Sequence, residues 1–309
     1  MAFRTRRWGP GGPRAVGPQG GTDRGTHPRL GRRAVMLRSG GRWGVGRLAN
    51  SLVLYADSAG ALRALTSVRA RLTEAEQARA ARLRSADDRD DYLAAHLLVR
   101  ECAARWSGVP AELLTLRQLC PGCGSSGHGR PYIAELPGIS VSLSHTRGCV
   151  AAATGLGPVA VDTENHRRRT LPEASQHEVL TAADHAAVAA DPRPDLALAL
   201  RWTYKECLVK LGATDWGRLR EAGTPQALRP DGIPVRTDGR WAVQWANERE
   251  SACGTAVTAG VPALLGLEAM KVVEYAPTHE TSRIVQSCDS RYQPTRHHQA
   301  RSQWDKREL

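Results

Sequence analysis

The chain has 309 residues, 41% of them apolar, and carries a formal charge of +12. That length holds one large domain or two of ordinary size, and that apolar content supports a packed core, which excludes a fibrous or wholly disordered chain. The charge is concentrated: residues 1–50 hold eleven Arg and no Lys against the single acid Asp23, whereas residues 51–260 are nearly balanced at +1, so the basicity describes the leader and not the folded part.

Seven Cys without a framework spacing point to a reducing compartment, with the cytoplasm as the expected location. No apolar run approaches the roughly eighteen residues of a membrane span. Arg6-Arg7 and Arg32-Arg33 are not followed by an apolar segment of the kind a secretion signal needs.

Residues 1–50 mix Gly, Pro and Arg without periodicity and are expected to be a disordered leader, since they bury too little apolar surface to offset the entropy of ordering. An arm that neutralises nucleic-acid phosphates through Arg4, Arg6, Arg7, Arg32 and Arg33 is the less favoured alternative. Ser51 to Ala56 reads as the first strand. Thr73 with Glu76 three residues later forms a capping-box signature for a helix, and a second helix, roughly Asp88 to Trp106, places Leu93, Leu97, Leu98 and Cys102 on an apolar face. Leu114 to Arg117 is followed by a long Gly- and Ser-rich loop, Cys120 to Pro131. Within it, Cys120-x-x-Cys123 has the spacing of two zinc ligands, with His128 and Cys149 as further candidates; a Cys-containing tight turn is the simpler reading.

Ile139 to His145 alternates polar and apolar residues and delivers Ser144 and His145 to a strand end. Cys149 to Ala153 and Val159 to Glu164 supply two more strands. Residues 173–212 are helical in two pieces broken near Asp191 to Pro194, and Trp241 to Trp245 and Cys253 to Val257 close the pattern. Residues 262–309 lack a sustained apolar period and are expected to form a flexible tail.

The chemistry concentrates between Asp162 and Lys210. Side chains alternate along a strand, so Asp162 and Glu164 share a face; residues four apart stack on a helix, so Trp202, Glu206 and Lys210 form one stripe. Three carboxylates suit the oxygen-seeking Mg²⁺, and a lysine beside them suits a phosphate. Read separately, the same residues are an edge-strand acid pair and a surface Glu206–Lys210 pair.

Taken together, Gly129-Arg130-Pro131, Val141-Ser142-Leu143-Ser144-His145, Val159-Ala160-Val161-Asp162-Thr163-Glu164 and Trp202-Thr203-Tyr204-Lys205-Glu206-Cys207-Leu208-Val209-Lys210 resemble the ordered motifs of 4′-phosphopantetheinyl transferases. The monomeric surfactin-synthetase (Sfp) type is the nearest match, and Tyr92 to Arg100 looks like its N-terminal half. The resemblance implies an α+β fold of two pseudo-symmetric halves, residues 51–150 and 151–261, with the active site in the cleft between them. It also implies transfer of the phosphopantetheine arm of coenzyme A to a serine of an acyl, aryl or peptidyl carrier protein, as in holo-[acyl-carrier-protein] synthesis, by a monomer with Mg²⁺. Asp162, Glu164 and Glu206 would bind the metal, Glu206 would serve as base and Lys210 would support the leaving phosphate. Arg130, Ser144 and His145 would hold the nucleotide. Asp91 stands where the family usually has an arginine and would repel the 3′-phosphate of coenzyme A; Arg89 or Arg79 is expected to substitute. Thr163 is less apolar than the family's usual residue there. A degenerate member that binds coenzyme A or a carrier without turnover, and a basic nucleic-acid-binding protein, are the alternatives.

Overall fold

In a computed structural model of the protein, the described residues are 36–39, 42–45 and 50–267, apart from 121, 169, 170 and 250. The chain divides into two units, Met1–Arg33 and Ala34–Leu309, and every described residue lies in the second. The alternative of a nucleic-acid arm through Arg4, Arg6, Arg7, Arg32 and Arg33 therefore falls outside the described residues. Within the span of the expected leader, β1 (Met36–Ser39) and β2 (Arg42–Val45) pair antiparallel.

The chain continues through β3 (Ser51–Asp57), α1 (Ser58–Ala64), α2 (Glu74–Arg82), α3 (Ala86–Ser107), β4 (Leu116–Leu119), β5 (Arg130–Ile133), β6 (Ser140–Thr146), β7 (Cys149–Gly155) and β8 (Val159–Asn165). Then follow α4 (Glu173–Val179), α5 (Ala182–Ala189), α6 (Pro194–Leu211), β9 (Val235–Thr237), β10 (Arg240–Asn247), β11 (Ala252–Thr258) and β12 (Pro262–Gly266). Local chemistry sets the helix limits. The Thr73–Glu76 capping box opens α2 as expected, while Ser85 caps α3 and Gly108, at φ 78°, ends it. Pro194 occupies the first turn of α6, and Gly212 closes that helix at φ 70°. The expected two helical pieces of 173–212 are three, because Thr181 and Asp184 form a second capping box that restarts the helix after Leu180.

Two four-stranded sheets carry the fold, one ordered β12-β3-β7-β6 and the other β8-β11-β10-β9. Strand alternation gives each sheet two apolar faces. Leu52, Leu54 and Ala56 of β3 pack with the α3 residues Leu93, Leu97 and Leu98, whereas Val53 faces Val161, Val243 and Trp245 of the other sheet. On the far side of that sheet, Ala160, Ala242 and Val257 pack against Tyr204 and Cys207 of α6. The layers thus run α3, sheet, sheet, α6, which is an α+β arrangement.

Two strands lie across the expected divisions of the chain. β7 runs through residue 150 to Gly155 and pairs with β6. Pro262–Gly266, placed in a flexible tail, is β12, which pairs parallel with β3; a five-residue apolar strand is too short to register as a period. Residues 268–309 lie outside the described residues.

Candidate active site

The site forms where β8 faces α6. Since Ala160 packs toward α6, Asp162 and Glu164, two and four residues on, face the same way, toward the stripe of Trp202, Glu206 and Lys210. Lys210 Nζ donates to Asp162 Oδ1 at 2.7 Å and to the Val161 carbonyl at 2.7 Å. At the other end of the stripe, Trp202 Nε1 donates to Glu164 Oε1 at 3.1 Å. These two contacts make α6 antiparallel to β8 and leave Glu206, midway between Trp202 and Lys210, facing the interval between the strand carboxylates. Asp162, Glu164 and Glu206 are 2%, 5% and 6% exposed, which removes the reading of a solvated acid pair and a surface helix pair.

Burial pulls the Lys210 ammonium toward a lower pKa, but the Asp162 and Glu206 carboxylates outweigh it and the net shift is upward, so the lysine is held as a cation. Its position in the last turn of α6 adds the favourable end of the helix dipole. An ammonium has three N–H donors, and Val161 and Asp162 occupy two.

Ser144 joins the site from β6: its Oγ donates to Asp162 Oδ1 at 2.7 Å and accepts from Thr163 N at 3.4 Å. Asp162 Oδ2 is buried without a hydrogen-bond partner. An unpaired carboxylate oxygen flanked by two further carboxylates fits an oxygen-seeking divalent cation on donor chemistry. Among the described residues, however, only Cys120, Cys123 and His128 bring three ligand atoms within 4.8 Å of one another, so the three carboxylates are not drawn that closely together.

The expected coenzyme A contacts are distributed differently. Arg130 is exposed at the start of β5, and its Nη2 lies 3.3 Å from where a Cβ on Gly212 would stand, which brings it beside the end of α6. His145 is exposed and meets the Tyr92 ring edge-on, at 6.0 Å between centroids. Arg79 is half-buried on α2, and its charge acts on Tyr92. Arg89 is engaged at the end of α2, donating to the Ala80 and Leu83 carbonyls at 3.3 and 3.2 Å.

Asp91 does not repel a ligand from an open position. It is 3% exposed, accepts from Ser58 Oγ at 2.5 Å and from Gly148 N at 3.0 Å, and ties α3 to α1 and to the β6–β7 turn. Thr163 is accommodated on the opposite strand face, where its hydroxyl donates to the Cys253 carbonyl at 2.9 Å. Trp202, on the Glu206–Lys210 stripe, packs in the core with Leu171, Val179 and Leu219 and also donates to Glu164. Tyr92 opens the buried run of α3 and meets His145; burial, then the Glu76 charge, push its phenol up to about 12, so it remains a hydrogen-bond donor.

Residues 158–254 match the family model of the 4′-phosphopantetheinyl transferase superfamily. The matched stretch runs from just before β8 into β11 and contains Asp162, Glu164, Glu206 and Lys210. It is therefore similar to enzymes that transfer phosphopantetheine from coenzyme A, generally with a divalent metal. No curated protein matches the chain. Among the described residues, no helix is long and apolar enough to cross a membrane.

Proposed function

We propose that the protein is a 4′-phosphopantetheinyl transferase of the monomeric surfactin-synthetase type, which moves the phosphopantetheine arm of coenzyme A to a serine hydroxyl of an acyl, aryl or peptidyl carrier protein in the cytoplasm. The observation that carries this reading is the clasp of β8 on α6, in which Lys210 donates to Asp162 and Trp202 to Glu164, all four inside the matched stretch 158–254. Asp162, Glu164 and Glu206 would hold Mg²⁺, which would supply charge neutralisation to the phosphates of coenzyme A. The two sheets, each carrying one long helix, would be the pseudo-symmetric halves of that enzyme type, and a cleft between the halves would take coenzyme A.

In the reaction the carrier serine oxygen forms a bond to the phosphorus that bears the pantetheine. The bond from that phosphorus to the bridging oxygen breaks, and adenosine 3′,5′-bisphosphate leaves. Glu206 takes the serine proton, directly or through water. The remaining N–H of Lys210 donates to the leaving phosphate, a task suited to a cation pinned by Asp162 and Val161. Arg130, Ser144 and His145 hold the nucleotide, with Arg79 the better placed of the two arginines for the 3′-phosphate because Arg89 is already bound to carbonyls.

Incubation with coenzyme A, Mg²⁺ and a panel of apo carrier proteins, read by intact mass, tests the proposal: at least one carrier gains the mass of the arm, and chelation of the metal stops the gain. Absence of a mass gain on every carrier, with coenzyme A still bound in an equilibrium assay, assigns the chain to non-catalytic binding instead. Glu206→Gln is expected to lower turnover by about 10²–10⁴-fold with an unchanged melting temperature, the range set by loss of a general base. Near-normal turnover in that variant removes Glu206 from the role.

A further inference from the structure

The hairpin of β4 and β5 carries a second cluster that the transfer reaction does not use. Cys120 is buried at its base, Cys123 is exposed at its tip and His128 is half-buried on the return, and one ligand atom from each lies within 4.8 Å of the others. Cys123 Sγ and His128 Nε2 are 3.4 Å apart. Bonds of about 2.3 Å to sulfur and about 2.05 Å to nitrogen at a tetrahedral centre put those two atoms about 3.6 Å apart, so the observed spacing fits one shared zinc ion. Cys149, the other candidate from the sequence, is not part of the group.

The backbone is folded to present these ligands. Cys120 N donates to the Ser125 carbonyl and Gly124 N to the Cys120 carbonyl, at 2.9 and 2.8 Å, and Gly124 adopts φ +72°, which favours glycine. At the other end, a Cβ on Gly129 would stand 2.4 Å from the Leu119 carbonyl oxygen, so only glycine lets the two limbs close. The loop between is rich in Gly and Ser and mostly exposed, with little apolar surface to order it by burial. A metal supplies the ordering that a core does not.

We propose that Cys120, Cys123 and His128 bind a zinc ion, with water in the fourth position, and that the ion fixes the loop that leads into Arg130 at the start of β5. Two thiolates neutralise Zn²⁺, so the clip adds no net charge beside that arginine. Metal binding is independent of the transferase reading. The consequence that clip loss weakens coenzyme A binding rests on it.

The test is the metal content of the full chain purified under reducing conditions without chelator. Stoichiometric zinc is expected in the wild type, as is a thiolate-to-cobalt charge-transfer band after exchange with Co²⁺. Cys123→Ser and His128→Ala should each lose the metal, and because both positions are at least partly exposed, the melting of the sheets should survive. In an active enzyme the same variants should raise KM for coenzyme A with little change in kcat. Metal-free wild type without a cobalt band, or zinc retained when both ligands are replaced, overturns the site whatever the activity assay shows. Zinc loss without any KM change retains the site and removes its link to Arg130.

Discussion

Asp91 shows how a single side chain changes meaning once its surroundings are known. By motif position it opposed coenzyme A; by geometry it accepts hydrogen bonds from Ser58 and Gly148 inside the fold. Burial raises its pKa above the usual carboxylate value, and those hydrogen bonds draw it back only in part. Asp91→Ala leaves the Ser58 hydroxyl and the Gly148 amide without their acceptor and is expected to destabilise the protein by about 1–3 kcal/mol, measured by denaturant unfolding. Asp91→Arg, which introduces the residue that the resemblance leads one to expect there, buries a cation against an N–H donor and should fold worse still. Asp91→Asn isolates the electrostatic question, because it removes the charge and keeps the shape: an unchanged KM for coenzyme A is expected. A clear drop in KM would show that the carboxylate does repel the ligand. Trp202 carries the complementary lesson, since an indole packed in the core also holds a candidate-site carboxylate through its one N–H.

At the scale of elements, α2 and α3 are locked by a buried ionic network. Arg100, fully buried, donates to both Glu76 oxygens at 2.9 and 2.7 Å and to the Leu114, His96 and Arg71 carbonyls, while His96 Nδ1 lies 2.7 Å from Glu76 Oε1. Burial alone would raise the Glu76 pKa, but His96 and Arg100 more than offset it and bring it from 4.5 to about 2. Its stabilisation is therefore complete above about pH 4.5 and is lost as pH falls toward 2, a contribution on the order of 3 kcal/mol. His96, lowered from 6.5 by burial, acts in the same direction from a higher pH, because the unfolded chain takes up its proton first; Asp91, with a raised pKa, opposes both. Glu76→Gln should melt lower at neutral pH, and the gap to wild type should narrow as pH drops from 5 to 3. A gap independent of pH would show that the glutamate charge is not what holds the helices. The capping box and the apolar face of α3 were legible in the sequence because both are local signals. The Glu76–His96–Arg100 network was not, since its members lie 20 and 24 residues apart and meet only when the helices pack. β12 and the second capping box escaped for a related reason: a five-residue strand and a short helix carry little periodicity.

For the whole molecule, the decisive join lies between the two sheets, and the candidate site is built on it. β8 is an edge strand of its own sheet, and its outward amides are met by side chains of β6, the edge of the other: Ser142 Oγ accepts from Val161 N at 3.1 Å and Ser144 Oγ from Thr163 N at 3.4 Å. The alternation Ser140-Val141-Ser142-Leu143-Ser144 reads in sequence as a half-buried strand with a polar face to water. Here that face instead supplies acceptors to a neighbouring strand. Alternation says which residues share a face but not what the face meets, which is why Asp162, Glu164, Glu206 and Lys210 could be grouped from the sequence while Ser142 could not. Val161 and Asp162, whose backbone and carboxylate receive Lys210, are the residues stitched to β6, so packing of the sheets and placement of the lysine are one structural event. Ser142→Ala strips the Val161 amide of its partner in a site that is 6% exposed. Loss of about 1–3 kcal/mol is expected, lowering the melting temperature by roughly 2–10 °C for a fold of this size. Because the sheets share one apolar layer through Val53, Val161 and Trp245, unfolding should remain a single transition, followed in parallel by far-UV ellipticity and tryptophan fluorescence. Two separated transitions in the variant would show that the serine contacts, and not the apolar layer, couple the sheets.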